Sequence, residues 1–457
     1  MSNPIHTSLL AIAAGICLTW SPHALAQNSE PVVPLVSKAE PGVEPLPELW
    51  NFHGQATIVS QWHSQFSSAY SGANSLHSAG ENRVTADATF MLGRRLWKGA
   101  EFWINPEIDQ GFGLSDTVGV AGFPSGEAYK VGSNTPYGTL PRAFFRQVID
   151  LDGAQQVVEA GPNQFSGSKS ANNVTLTIGK FSVVDIFDNN AYAHDARSDF
   201  LNWAILDAGA FDYAADSWGF TNGAAVEWSQ DWWTLRGGVF QLSGEPNGRV
   251  NGFDVRQHAV IAEFEERHQF MNRPGKLKLL AFVNRGDMAN YQDAILLAQQ
   301  TGSTPDVSLV RSYTSRSGIA INFEQELTPD LGVFARLSGN DGSKEAYEFT
   351  EINRSIAGGI SVQGRLWGRP NDRFAVGGAV NGLSSSARAY LSAGGLGIVI
   401  GDGRLNYDDE KIVEAYYSMA LTERFKVTAN YQRVINPAYN QDRGPVSIFA
   451  LRFHVEY

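Results

Sequence analysis

Arg142 and Arg146 stand four residues apart in a segment that also carries Phe145 and Ile149. Strand side chains alternate with period two, so both guanidiniums share one face and the two apolar residues take the other. On the preceding strand candidate, Glu101, Asn105, Glu107 and Asp109 share a face against Phe102, Ile104 and Ile108. Side by side, the two polar faces set fixed donors beside fixed acceptors, which gives a transverse field and a hydrogen-bonding collar. Arg83 and Asp87, one strand earlier, extend the same lining. Arginine–carboxylate pairs of this kind also brace a wall without touching any ligand, and both roles stay open.

A second group of chemical residues sits between strands. Residues 182–217 hold Asp185, Asp188, Asn189, Asn190, Tyr192, His194, Asp195, Arg197 and Trp203 together with Ile186, Phe187, Phe200 and Leu201. That apolar content is too high for a segment hanging in water, so the segment is expected to fold inward and narrow whatever the strands enclose. Trp203 then serves as a stacking ring or as a packing anchor. Residues 111–141, with Phe112, Phe123 and Tyr129 among many glycines, are expected to fold in beside it. The carboxylates of 182–217 lack the spacing of a helix–loop–helix calcium site, so no metal and no cofactor is expected. His194, Asp195 and Ser198 sit too close together to orient one another as a hydrolytic set, and no Gly-x-Ser-x-Gly elbow is present.

The elements that carry these groups are strands. Alternation recurs at 51–62, 82–92, 101–109, 142–151, 173–181, 218–228, 231–241 and 255–265. It continues at 276–285, 316–327, 331–338, 354–365, 373–382, 411–421, 424–434 and 446–457, which makes roughly sixteen, an even number as closed single-chain barrels require. Long connections (63–81, 111–141, 182–217, 286–315 and 383–410) alternate with near-minimal turns at Gln230, Pro329 and Thr422-Glu423; 152–172 breaks the alternation. A soluble sandwich has no reason to sort its connections by parity. A membrane barrel does, with tight turns at the periplasmic rim and long loops outside. In the last strand, Phe449, Leu451, Phe453 and Tyr457 face one way and Ala450, Arg452, His454 and Glu456 the other. This is the pattern of a lipid-facing closing strand with a terminal ring, which also suits recognition by the barrel assembly machinery. Arg452 and His454 are expected low in the lumen, away from the narrowing.

Net charge is −12, which argues against a nucleic-acid partner. Beyond the N-terminus no run of eighteen apolar residues occurs, so membrane-spanning helices are excluded. Residues 1–26 read as a signal peptide, with an apolar core from Leu9 to Leu18 and Ala24-Leu25-Ala26 before the cleavage point. The sole cysteine, Cys17, falls inside it. Residues 27–49 contain Pro31, Pro34, Pro41, Pro45 and Pro47 and read as a semi-rigid periplasmic leader before a barrel domain at 50–457.

Several stretches resemble the carbohydrate-selective porin (OprB) family. They are Asn51 to Thr57, Gly93 to Trp97, Asn105 to Gly113, Gly122 to Tyr129, Pro141 to Gln147, and Gly179 through Trp203 to Tyr213. The resemblance spans essentially all of 50–457. It implies an all-β, sixteen-stranded outer-membrane barrel whose pore is narrowed by inward-folded loops and passes sugars such as glucose. Under that reading the pore-lining candidates are Arg142, Arg146, Glu107, Asp109, Arg83, Asn105, Asp195 and Trp203. The partners are small sugars and outer-membrane lipid, with the barrel a monomer or a homotrimer. A general diffusion porin is the alternative channel. A barrel hydrolase or a soluble secreted glycan-binding protein are the alternatives from other classes.

Overall fold

The computed structural model describes residues 48–128, 132–250, 254–348 and 350–457. The signal peptide, the leader up to Pro47 and Tyr129 lie outside the described residues. Trp50–Tyr457 forms one compact unit.

The strands are β1 (Trp50–His63), β2 (Glu81–Trp97), β3 (Ala100–Gly111), β4 (Ser133–Asp150), β5 (Gln155–Val158) and β6 (Gly167–Ser170). They continue with β7 (Asn173–Phe181), β8 (Thr221–Gln230), β9 (Trp233–Gln241), β10 (His258–Phe270), β11 (Arg273–Met288) and β12 (Ser312–Thr328). The last six are β13 (Leu331–Asn340), β14 (Arg354–Gln363), β15 (Arg373–Gly382), β16 (Glu410–Ala420), β17 (Phe425–Ile435) and β18 (Val446–Glu456). All but β5 and β6 close into one antiparallel barrel, with β18 pairing back onto β1. Closure leaves no open edge, as a sheet in lipid requires.

Alternation decides which residues face out. Leu279, Ile319, Leu337, Ile356, Val413 and Phe453 lie on the outer surface, and Trp50, Trp97, Trp232, Phe270, Trp367 and Tyr457 ring the rim that carries the turns. An apolar band with an aromatic girdle is the surface a bilayer selects. Turns 98–99, 231–232, 271–272, 329–330 and 421–424 share that rim with both ends of the barrel, and long connections crowd the other.

One boundary departs from the sequence pattern. Residues 133–141 were assigned to a loop but form the outer half of β4. Pro136, Gly138 and Pro141 hide the strand, because proline and glycine are poor interior strand residues. Pro141 is accommodated at an irregularity where the β3–β4 register shifts between Asn105 and Glu107. Only Ala143–Asp150 of β4 pairs with β7, so β4 runs on beyond it toward the outer rim. The chain leaving Phe181 turns into the lumen.

The lumen is mostly filled. Leu76, Val120, Phe200 and Ile205 from connections pack against Phe334, Ala375, Ile412 and Tyr416 from the wall. A second cluster joins Trp103, Phe144, Phe181, Phe187, Trp203, Phe211 and Phe240. Small wall residues make this room: a Cβ on Gly377 would lie 3.0 Å from the Phe200 ring, and one on Gly332 would collide with the Tyr192 ring. Two helices in outer connections, Tyr291–Thr301 and Ser385–Ser392, meet through Tyr291 and Tyr390, ring centroids 4.8 Å apart.

Candidate functional site

The inserted segment 182–220 is held by wall residues that address its backbone. Glu414 on β16 accepts from Leu201 N at 2.6 Å and Asn202 N at 2.9 Å. Four residues earlier on the same inward face, Glu410 accepts from Ala121 N at 2.9 Å, Gly122 N at 2.8 Å and Ala438 N at 2.8 Å. One strand thus clamps both inserted segments. Glu263 of β10 accepts from Asp188 N, and Glu324 of β12 from Ala191 N, each at 2.8 Å. Arg336 of β13 donates to Asp188 O, Ala193 O and Ile205 O. Arg452 of β18 donates to Ala196 O at 2.5 Å and Asp199 O at 2.8 Å. Arg452 was expected away from the narrowing and instead holds it. His454 lines the same cavity as Asp195 and Arg197.

Against that fixed side stands a charged side built on β2, β3 and β4. Arg197, from the inserted segment, reaches Asp87 at 3.1 Å, Glu107 at 3.3 Å and Glu127 at 3.5 Å. One guanidinium thus faces three carboxyl groups. Glu107 also accepts from Thr89 Oγ1 at 2.5 Å, and Asp109 from Thr139 Oγ1 at 2.8 Å. Arg142 makes a two-pronged pair with Asp185, 2.8 and 2.6 Å, and lies 4.9 Å over the Phe220 ring. Asp185 is oriented by a reciprocal cap with Ser182 at the start of a short 3-10 turn.

The other sequence candidates fall in different places. Arg146 sits near the turn rim, bonded to Glu101 at 2.9 Å and to Asn163 O at 2.8 Å. Arg83 lies near the outer rim against Glu81 at 2.6 Å and Asp116 at 3.5 Å, not beside Asp87. The expected collar of Arg142 and Arg146 against Glu107 and Asp109 does not form. Asp185 takes Arg142 and Arg197 takes Glu107 from the inserted segment, while Asp109 is bonded to Thr139 and Arg146 to Glu101 on the adjacent strand. Asn105 is fully buried opposite Arg142, with both side-chain polar atoms lacking a partner among the described residues. Asp195 accepts from Arg197 N at 2.9 Å and so shapes the turn that presents Arg197. Trp203 stacks on Phe123 at 4.9 Å and leans on Tyr213 at 5.8 Å. It is 7% exposed and lines the cavity, so anchor and ring platform coexist in one side chain.

Arg142, Asp185, Asp195, Arg197 and Trp203 border a cavity of about 500 Å³ that runs along the lumen, from Asn247 and Val399 among the outer connections to Lys426 and Glu456 near the turns; Arg83, Asn105, Glu107, Asp109 and Arg146 do not line it. Burial, and secondarily the nearby Asp87 charge, push the Glu127 carboxyl well above its usual range against the pull of Arg197. Burial opposes ionisation of Asp195 as well, but Arg197 overrides it and holds that carboxyl low. Burial pushes the His194 imidazole down, with Arg336 adding to it.

Sequence names Arg197 only among the polar residues of 182–217 and does not reach the two glutamate clamps. The available signal was Glu410 and Glu414 four apart on an inward face otherwise built from Ile412 and Tyr416.

A model of the carbohydrate-selective porin family (OprB family) matches residues 73–457. Among solved structures, OprB of Pseudomonas putida at high pH superposes with a TM-score of 0.69 at 14% identity, covering 90% of this chain and 94% of that one. The outer membrane channel DcaP of Acinetobacter baumannii superposes at 0.51 with 9% identity, covering 89% and 97%. No curated protein matches this chain.

Proposed function

The chain belongs to the carbohydrate-selective porin family, and on that premise we propose that its lumen admits monosaccharides such as glucose by passive diffusion through the loop-built throat. It is an outer-membrane sugar porin, a channel and not an enzyme. The observation that carries the finer reading is the pairing, along one cavity, of fixed charged hydrogen-bonding groups with aromatic rings. A sugar needs donors and acceptors for its hydroxyls and a ring for its C–H face. Arg142 and Arg197 supply donors, Asp185 and Asp195 supply acceptors, and Trp203 with Phe123 supplies the platform, while buried Glu107 braces Arg197 from the wall. In this reading Arg83 and Arg146 flank the outer and inner approaches, while Asn105 and Asp109 support the wall. The opposed charges also disfavour a solute of either sign relative to a neutral one.

Ion current across planar bilayers, recorded while glucose is titrated, tests the reading. Glucose lowers the current at millimolar levels, and Arg142→Ala raises the half-blocking concentration by about ten-fold, the loss of one charge-assisted hydrogen bond. If glucose leaves the current untouched and Arg142→Ala leaves sugar flux unchanged in liposome swelling, selective passage is wrong and general diffusion stands.

A further inference from the structure

Connections on the turn rim run from two to four residues, with nine at 364–372, but 151–172 carries twenty-two residues between β4 and β7. It folds into its own hairpin, with β5 paired to β6 from Gln155↔Ser170 to Val158↔Gly167. A connection needed only to join two strands would be free to project into water. This one turns back into the barrel.

Its tip, residues 161–166, is gripped by four consecutive strands. Asn51 of β1 donates to Gln164 O at 3.3 Å. Arg95 of β2 donates to Ser166 O at 3.1 Å and lies 4.9 Å over the Phe165 ring. Trp103 of β3, fully buried on the inward face, meets that ring at 5.0 Å. Arg146 of β4 donates to Asn163 O at 2.8 Å. Phe165 is 5% exposed as a result. Gly161 and Gln164 exchange two backbone hydrogen bonds of 3.0 Å, and Asn163 takes a left-handed φ of 54° that asparagine tolerates. The apex, Pro162 and Asn163, lines the same cavity as Arg142, Asp185 and Trp203. Asn163 Oδ1 is a buried acceptor with no hydrogen-bond partner among the described residues.

We propose that this hairpin is an inner size filter: its tip forms a second constriction at the periplasmic mouth, in series with the throat built from above. Arg146 is then a positioning residue, fixing the Asn163 carbonyl and not the solute. The proposal rests on the lumen being the conduit but not on its preference for sugars.

Graded uncharged polyethylene glycols, added to one side of a bilayer at a time, read the width of each mouth separately. In the full-length protein, residues 154–171 are replaced by an Asn-Gly turn, a two-residue link suited to tight hairpins. The polymer size that still lowers conductance from the periplasmic side rises, and the value from the outer side stays where it was. Phe165→Ala, which removes the anchoring ring without shortening the chain, moves the periplasmic value the same way. Should the shortened chain fail to assemble, Phe165→Ala decides alone. An unchanged periplasmic cut-off in a folded barrel overturns the filter. Glucose block in the unaltered protein reports separately on the throat: its absence counts against sugar selectivity and leaves the filter to stand or fall on the periplasmic cut-off.

Discussion

The two halves of the barrel wall treat the inserted segments differently. On β10 to β18, Glu263, Glu324, Arg336, Glu410, Glu414 and Arg452 are buried and speak to backbone N–H and C=O groups. On β2 to β4, Asp87, Glu107 and Arg142 speak to side chains, Arg197 and Asp185. A clamp on backbone fixes where a segment lies regardless of what its side chains are. A contact between side chains fixes the charge presented to the pore and is open to variation without moving the chain. The division is one of emphasis: Arg316, Arg336 and Arg373 of the first wall also pair with Asp212, Asp188 and Asp199, and Glu81 of β2 accepts from Ser115 N.

The largest effect should come from breaking the positional side. Replacing Glu410 and Glu414 together by Ala strands the buried N–H groups of Ala121, Gly122, Leu201 and Asn202. Each unsatisfied donor costs about 1–3 kcal/mol, so both inserted segments lose their preferred seat. Single-channel conductance rises above that of any other variant named here, and glucose block disappears. The Gln replacements keep one acceptor oxygen each and give an intermediate result. Wild-type conductance in the double Ala variant would mean that apolar packing, not the clamps, holds the throat.

Much of this architecture was legible beforehand, because a barrel writes its periodicity and loop parity into every segment. The outer half of β4 was not, since Pro136, Gly138 and Pro141 erase the pattern that register with β3 restores. The site was legible in its residue types and not in its pairings. Period-two reasoning can place Arg142 beside Glu107 on neighbouring strands, but it cannot see Asp185 or Arg197 arriving from a segment that folds back across the lumen. The same blindness hid the 161–166 tip, whose sequence Gly-Pro-Asn-Gln-Phe-Ser gives no sign of the four strands that grip it.

The chemical side is sharpened by Arg197→Met. Asp87, Glu107 and Glu127 then lose the cation they share, and breaking a buried ion pair by removing one partner costs about 3–5 kcal/mol. Reversal potentials in a salt gradient shift toward cation preference, and the melting temperature of the barrel falls. Conductance changes less than in the double glutamate variant, since the backbone clamps survive. Equal loosening in the two variants would erase the distinction between the walls.

The smallest effect concerns protonation of Glu127. Its carboxyl is pushed well above the ordinary range of about 4.3 by burial and by Asp87. The folded segment therefore favours the protonated acid. For an acid whose folded value is raised, the stabilising contribution is complete below the unfolded value and is lost as pH climbs through the folded one. Alkaline pH accordingly adds a negative charge beside Arg197 and weakens the seat of residues 112–128, while acid pH does neither. Cation preference should grow on the alkaline side of the ordinary carboxylate range, and current noise should grow with it. Glu127→Gln removes this alkaline step and leaves the ordinary carboxylate titration of the lumen in place. If the step persists in Glu127→Gln, another buried acid carries it, and the charged wall is not organised around Arg197 as its geometry indicates.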